Sequence, residues 1–68
     1  MSPKPIEIPE LEHFCGSWVI TRIATGEVIG EFFSRSNVEK FNGATCRAET
    51  AYQYLTRVNR EIRRIENA

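Results

Sequence analysis

A chain of 68 residues and 7.8 kDa makes one domain at most, and at this size only about 60% of the unfolded surface is buried on folding. Its 41% hydrophobic, 26% charged and 10% aromatic residues are ordinary for a globular protein, which excludes a disordered tail, a collagen-like chain and a disulfide scaffold. Nine basic side chains cancel nine acidic ones, so no overall field draws the chain to nucleic acid or to an anionic membrane.

Residues 1–13 read as an extended arm. Pro3, Pro5 and Pro9 each remove a backbone donor and disfavour helix in the residue before them. Ile6, Ile8 and Leu11 nevertheless give the arm apolar side chains to pack. The first five residues, Met1 to Pro5, lack the apolar core of a signal peptide. The longest apolar run, Trp18-Val19-Ile20, is far below the roughly 20 residues of a membrane helix. The expectation is a cytoplasmic chain with no membrane role, in which Cys15 and Cys46 remain thiols.

A single small domain is expected over residues 14–68. It opens with two β-rich runs, residues 17–23 and 27–33, joined by Ala24-Thr25-Gly26. A three-residue loop ending in Gly fits a type I turn followed by a left-handed residue and a bulge. Closing that turn between Ile23 and Glu27 pairs Trp18 with Phe32, Ile20 with Gly30 and Arg22 with Val28 on one face. Val19–Glu31 and Thr21–Ile29 then fall on the other, with Phe33 beside Ser17. The nearly all-apolar Trp18 face is the expected core.

Ser36-Asn37-Val38-Glu39 has the form of a capping box, with Ser36 accepting from the amide of Glu39. Val38 and Phe41 share one face of the short helix it would open, and Asn42-Gly43 would stop that helix in the left-handed conformation. Residues 44–49 are read as a third strand. Thr50-Ala51-Tyr52-Gln53 is a second capping box. After it Ala51, Leu55, Val58, Ile62 and Ile65 recur at spacings of four and three, which predicts an amphipathic helix to about residue 66. The expected fold is α+β in the order β-β-α-β-α. A right-handed crossover puts the third strand parallel to the second, giving the order 2-1-3 with a short and a long helix on the Trp18 face.

Chemistry is thinly represented. His13, Cys15 and Cys46, with Glu12, are of zinc-binding type, but structural zinc takes four ligands in paired short spacings, and these are not so spaced. His13 and Cys15 share a face if extended, yet no orienting group or oxyanion motif accompanies them. The four glycines are scattered, and none opens a phosphate-binding loop. The expectation is no enzyme, no metal, no cofactor and no small-molecule substrate.

Binding is the better reading. Residues 1–33 carry two basic against five acidic side chains, and residues 34–68 seven against four. Arg57, Arg60 and Arg64 fall on the side of the long helix away from Leu55 and Ile62, with Arg63 nearby, a stripe able to meet phosphates. Glu61 and Glu66 lie within reach of these arginines, so the stripe also reads as a solvated helix face. Tyr54 is expected at the edge of the core and Tyr52 as an exposed anchor of the kind interfaces favour. On the second face of the hairpin, Val19, Ile23, Ile29 and Phe33 are too many large apolar residues for a wet surface. They form the candidate protein interface, covered by the arm or by another chain, with a homodimer the simplest case.

The order Ser17-Trp18-Val19-Ile20, Thr25-Gly26-Glu27, residues 37–42 (Asn-Val-Glu-Lys-Phe-Asn), Tyr54-Leu55 and Val58-Asn59 resembles small uncharacterised single-domain proteins of bacterial phages and prophages. The resemblance covers roughly residues 17–60 and transfers no active site. It implies a small accessory protein that acts by binding. The leading expectation is thus a non-enzymatic protein-interaction module, self-associating or with a protein partner. The alternative is a nucleic-acid-binding accessory protein using Arg57, Arg60 and Arg64.

Overall fold

The computed structural model describes residues 4–66, Glu66 by its backbone alone; residues 1–3, including Pro3 of the expected arm, and residues 67–68 lie outside the described residues. The elements are β1 (Trp18–Arg22), β2 (Val28–Phe32), α1 (Arg35–Val38), β3 (Cys46–Thr50) and α2 (Ala51–Glu66). They form a small α+β fold around a three-stranded sheet of order β2-β1-β3. Both neighbours run antiparallel to β1, so β3 points the same way as β2 with β1 between them.

The hairpin register begins as the alternation of the sequence dictates. Trp18 pairs with Phe32, Val19 with Glu31 and Ile20 with Gly30. It then slips by one, because a bulge after Ile20 sets Thr21 opposite Val28 rather than Ile29. The Arg22 amide donates to the Glu27 carbonyl at 2.8 Å, and Gly26 donates back to Arg22 at 2.8 Å. Ile23 therefore belongs to the loop and stands exposed. Gly26 has φ +74°, the conformation a side chain would resist.

Core packing is on the Trp18 face, where Trp18, Ile20, Val38, Cys46 and Ala48 cluster. Complete burial of Ile20 and Val38 contributes about 1.5–3 kcal/mol each. What covers this face differs from expectation. The lid is α1 together with the arm: Ile6, Ile8, Leu11 and Phe41 pack against the cluster. The Trp18 indole N–H donates to the Pro9 carbonyl at 2.9 Å, and α2 contributes nothing to the cluster. The two helices do not share a face.

The arm is held where α1 ends. Gly43 N–H donates to the Lys4 carbonyl at 2.7 Å, and the Asn42 side-chain oxygen accepts from the Lys4 amide at 3.2 Å and the Ala44 amide at 2.9 Å. The expected left-handed stop at Asn42-Gly43 does not occur: among the described residues only Gly26 has positive φ. Gly43 is required for another reason. A Cβ there would overlap the Pro5 carbonyl oxygen and sit 2.9 Å from the Ile6 Cα, so only glycine lets the arm approach this closely.

The two capping boxes fare differently. α1 starts a residue before Ser36, after an extended Ser34 whose side chain makes no cap bond. The Glu39 carboxylate pairs with Arg35 at 3.4 Å, one turn back, instead of returning to the Ser36 amide. The Ser36 hydroxyl is shared with Ser34 at 2.8 Å. At Thr50 the box closes as expected: its hydroxyl accepts from the Gln53 amide at 3.1 Å, and the Gln53 side chain accepts from the Thr50 amide at 3.1 Å. The same hydroxyl donates to Glu12 of the arm at 2.8 Å, while the Ala51 amide donates to Ser17 at 3.0 Å. Arm, β1, β3 and α2 meet at this one residue.

Two outcomes follow for the core. Trp18→Ala should cost about 3–5 kcal/mol, most of the stability of so small a domain. Because the arm is the lid, deleting residues 1–10 should shift Trp18 emission to the red; an unshifted spectrum would refute that placement. Thr50→Ala should lose about 1–2 kcal/mol in urea denaturation and Thr50→Ser distinctly less, since serine retains the cap hydroxyl.

Candidate protein-interaction surface

The second sheet face is not apolar enough to receive an apolar helix stripe. Across it runs the row Glu31, Val19, Glu49, with Val28, Thr21 and Arg47 in the next. A hydrophobic stripe laid on the first row would bury two carboxylates without partners, which is costly. The chain meets this with Arg57. Its Nε and Nη2 donate to the two Glu49 oxygens at 3.1 and 2.9 Å, its Nη1 reaches Glu61 at 3.4 Å, and its guanidinium lies 5.5 Å from the centre of the Tyr54 ring. Glu31 is met by the Ser17 hydroxyl at 2.7 Å.

Position 57 lies about 120° round the helix from the Ala51–Leu55–Val58–Ile62–Ile65 stripe, at roughly 100° per residue. Docking through Arg57 and Tyr54 therefore turns the stripe partly away from the sheet, leaving Ala51 and Val58 half-buried and Leu55, Ile62 and Ile65 exposed. The helix also outruns its support: its 16 residues span about 24 Å, against about 17 Å for a five-residue strand. Every residue from Asn59 to Ile65 is exposed. Leu55 is 57%, Ile62 46% and Ile65 76% exposed, values foreign to a helix face that is part of a core. Beside the stripe an apolar groove of about 280 Å³ is lined by Val19, Val28, Glu31, Ala51, Tyr54 and Leu55. It marks the strip of sheet over β2 that α2 leaves uncovered.

Of the four expected interface residues, Val19 is only 6% exposed beneath the start of α2 and is withdrawn from the surface. Ile23, Ile29 and Phe33 are exposed, but the bulge takes Ile29 out of its expected place opposite Thr21. Among the described residues, neither the arm nor α1 covers this face. Only Val19 leaves the surface, because the start of α2 lies over it; the 4-3-4-3 spacing of α2 does not say which face the helix covers. The signal in the sequence was Glu31 opposite Val19 in the predicted face; Glu49 on the other side of Val19 comes from the β3 register of the structure.

The basic residues divide. Arg57 is committed to Glu49 and Glu61, and its pKa is raised above the ordinary value, first by the Glu49 hydrogen bond. Arg60, Arg63 and Arg64 are exposed and make no ion pair among the described residues; Glu66, expected near Arg63, has no described side chain. Tyr52 is half-exposed, with its ring edge-on to exposed Phe14 at 4.8 Å. Cys15 and Cys46 are free thiols, half-buried and buried. Among the described residues no three His, Cys, Asp or Glu side chains gather as a metal site, and no helix is long and apolar enough to cross a membrane. A further cleft of about 460 Å³ between the arm and β3 includes Lys4, Glu7, Cys46 and Arg47 in its lining but neither His13 nor Cys15.

Comparison with protein-family models, with curated proteins and with solved structures finds no match.

The clamp has a measurable signature. Arg57→Ala should cost about 1 kcal/mol, a bidentate charge-assisted pair discounted for its partial exposure, and Arg57→Lys should recover only part of it. A folded-state pKa raised above the unfolded one gives stability that is complete below the unfolded value and lost only above it. The wild-type-minus-variant difference in urea denaturation should thus be equal at about pH 6 and about pH 10, both well below arginine titration.

Proposed function

We propose that this chain is a non-enzymatic protein-interaction module of the cytoplasm whose contact surface is the outward stripe of α2 and the adjoining groove over β2. The observation that carries this reading is the seven-residue end of α2, which continues an apolar stripe where no other described part of the chain covers it. Leaving Leu55, Ile62 and Ile65 in water forgoes the burial free energy each would otherwise contribute, about 1.5–3 kcal/mol when complete. Contiguous apolar surface of a few hundred Å² is characteristic of protein contact sites. The two free thiols are in keeping with a reducing compartment. The phage and prophage resemblance of residues 17–60 is in keeping with an accessory role of this kind.

A second reading rests on Arg60, Arg63 and Arg64, exposed on the opposite side of the same helix, as a phosphate-contacting face for nucleic acid. Arg57 is no longer at the disposal of that face.

The stripe is tested by Ile62→Lys/Ile65→Lys, measured at concentrations low enough for self-association to be negligible. Far-UV dichroism and Trp18 emission should be unchanged and stability should move by no more than about 0.5 kcal/mol, as for surface positions. Protein capture from a bacterial lysate should be lost relative to wild type. A loss of about 2–5 kcal/mol, the cost of damaged core positions, would place the stripe inside the monomer and overturn the reading. Salt-sensitive retention of nucleic acid that survives this variant and disappears in Arg60→Glu/Arg64→Glu would favour the second reading.

A further inference from the structure

We infer that the occupant of this surface is a second copy of the same chain, docked as a two-fold antiparallel pair of α2 helices. The inference rests on the interaction-module reading and adds the identity of the partner.

Four observations carry it. First, Ala51, Leu55, Val58, Ile62 and Ile65 follow the 4-3-4-3 spacing of a seam between two helices. Such a seam meets its natural complement in another helix of the same period. Second, the surface is self-complementary along its length. One end offers projecting side chains, Ile62 and Ile65, and the other offers the apolar groove of about 280 Å³ beside Val28 and Leu55. A two-fold axis across α2 sets Ile65 of each copy opposite Leu55 of the other and Ile62 opposite Val58. Each free helix end is then laid over the other copy's uncovered β2 strip, so both gaps close in one operation, as an isologous interface requires. A parallel pair would instead press the two domain bodies together beside Ala51 and leave both ends of α2 bare.

Third, charge permits it. On one flank of the stripe Tyr52 and Asn59 are uncharged, with Arg63 farther round; on the other, Glu61 would come near its own copy at the two-fold axis, and its 3.4 Å contact with Arg57 compensates that charge within each copy. The chain as a whole has net charge zero, which removes long-range repulsion between copies. Fourth, the area suffices. The exposed parts of Leu55, Ile62, Ile65 and Val28 amount to a few hundred Å². The rest of the roughly 800 Å² per partner of a stable dimer would come from the polar rim beside the stripe. A domain with six buried apolar residues in its core has every reason to gain burial by association.

Sedimentation equilibrium from about 5 to 500 μM, with thermal denaturation at both ends of that range, tests the pairing. Wild type should sediment as a dimer, and its Tm should rise with concentration, as association linked to folding requires. Ile62→Glu/Ile65→Glu should weaken association at least about 100-fold, and Arg60→Ala on the opposite face should leave it unchanged. Nitroxide labels on Tyr52→Cys in a Cys15→Ser background should lie on the order of 25 Å apart across the pair, given a rise of about 1.5 Å per residue. A monomer throughout, with a concentration-independent Tm, overturns the second copy, while the fold-neutral lysine variant above continues to judge the surface separately. A dimer that survives Ile62→Glu/Ile65→Glu, or labels within about 15 Å as parallel helices would place them, overturns this arrangement. If the glutamate variant fails to fold, the wild-type Tm series and the label distance decide the matter.

Discussion

The bidentate contact between Arg57 and Glu49, at 2.9 and 3.1 Å, is the constraint from which the rest of the molecule's surface follows. Glu49 lies in a row of the sheet with Val19 and Glu31, and a helix that covers this row must bring a cation to it or leave a carboxylate stranded. Arg57 supplies the cation from about a third of a turn away from the apolar stripe. The helix is rotated by that choice. Its hydrophobic residues face sideways, and the sheet beneath β2 is left with a groove instead of a cover.

The opposite face solves its own burial problem by another route. The arm contributes Ile6, Ile8 and Leu11 to the core although its prolines bar it from the sheet ladder. Its attachment relies on short-range geometry: the approach of Pro5 to Gly43, the Trp18–Pro9 bond and the Glu12–Thr50 bond. With the arm in place, the Trp18 face does not need the stripe of α2. A segment that reads as a peripheral tail is what takes the place on the core that the apolar stripe of the longest helix could have filled.

Thr50 couples the two solutions. Its hydroxyl caps α2 and holds Glu12 of the arm, and its side chain is fully buried. The start of α2 is thereby fixed to both β1 and the arm, while its far end, past Val58, is fixed to nothing in the described chain. A rigid base with a projecting amphipathic end is an arrangement suited to presenting a helix to a partner.

Periodicity determined the elements. Alternation around Trp18 and Ile20 placed the hairpin and its first three pairs, the Thr50–Gln53 box marked the start of α2, and the 4-3-4-3 spacing marked its length and its seam. Connectivity then determined the strand order, because a crossover through α1 brings β3 to the free side of β1. These are local or topological properties, legible because each depends on spacings of a few residues. Tertiary structure alone decided which face each element covers. The amphipathic pattern states that α2 has an apolar side but not what lies against it, and two candidates competed for the Trp18 face. The arm won because Gly43 admits its backbone and Trp18 offers it a donor, contacts between residues far apart in the chain. The bulge at Ile20, which carried Ile23 into the loop, and the failed box at Ser36, where Arg35 took the Glu39 carboxylate, were instead settled locally, by the turn bonds of Arg22 with Gly26 and Glu27 and by a pair four residues apart. In each case the chain offered a bond other than the one the spacing alone suggests, and the packed structure selected it.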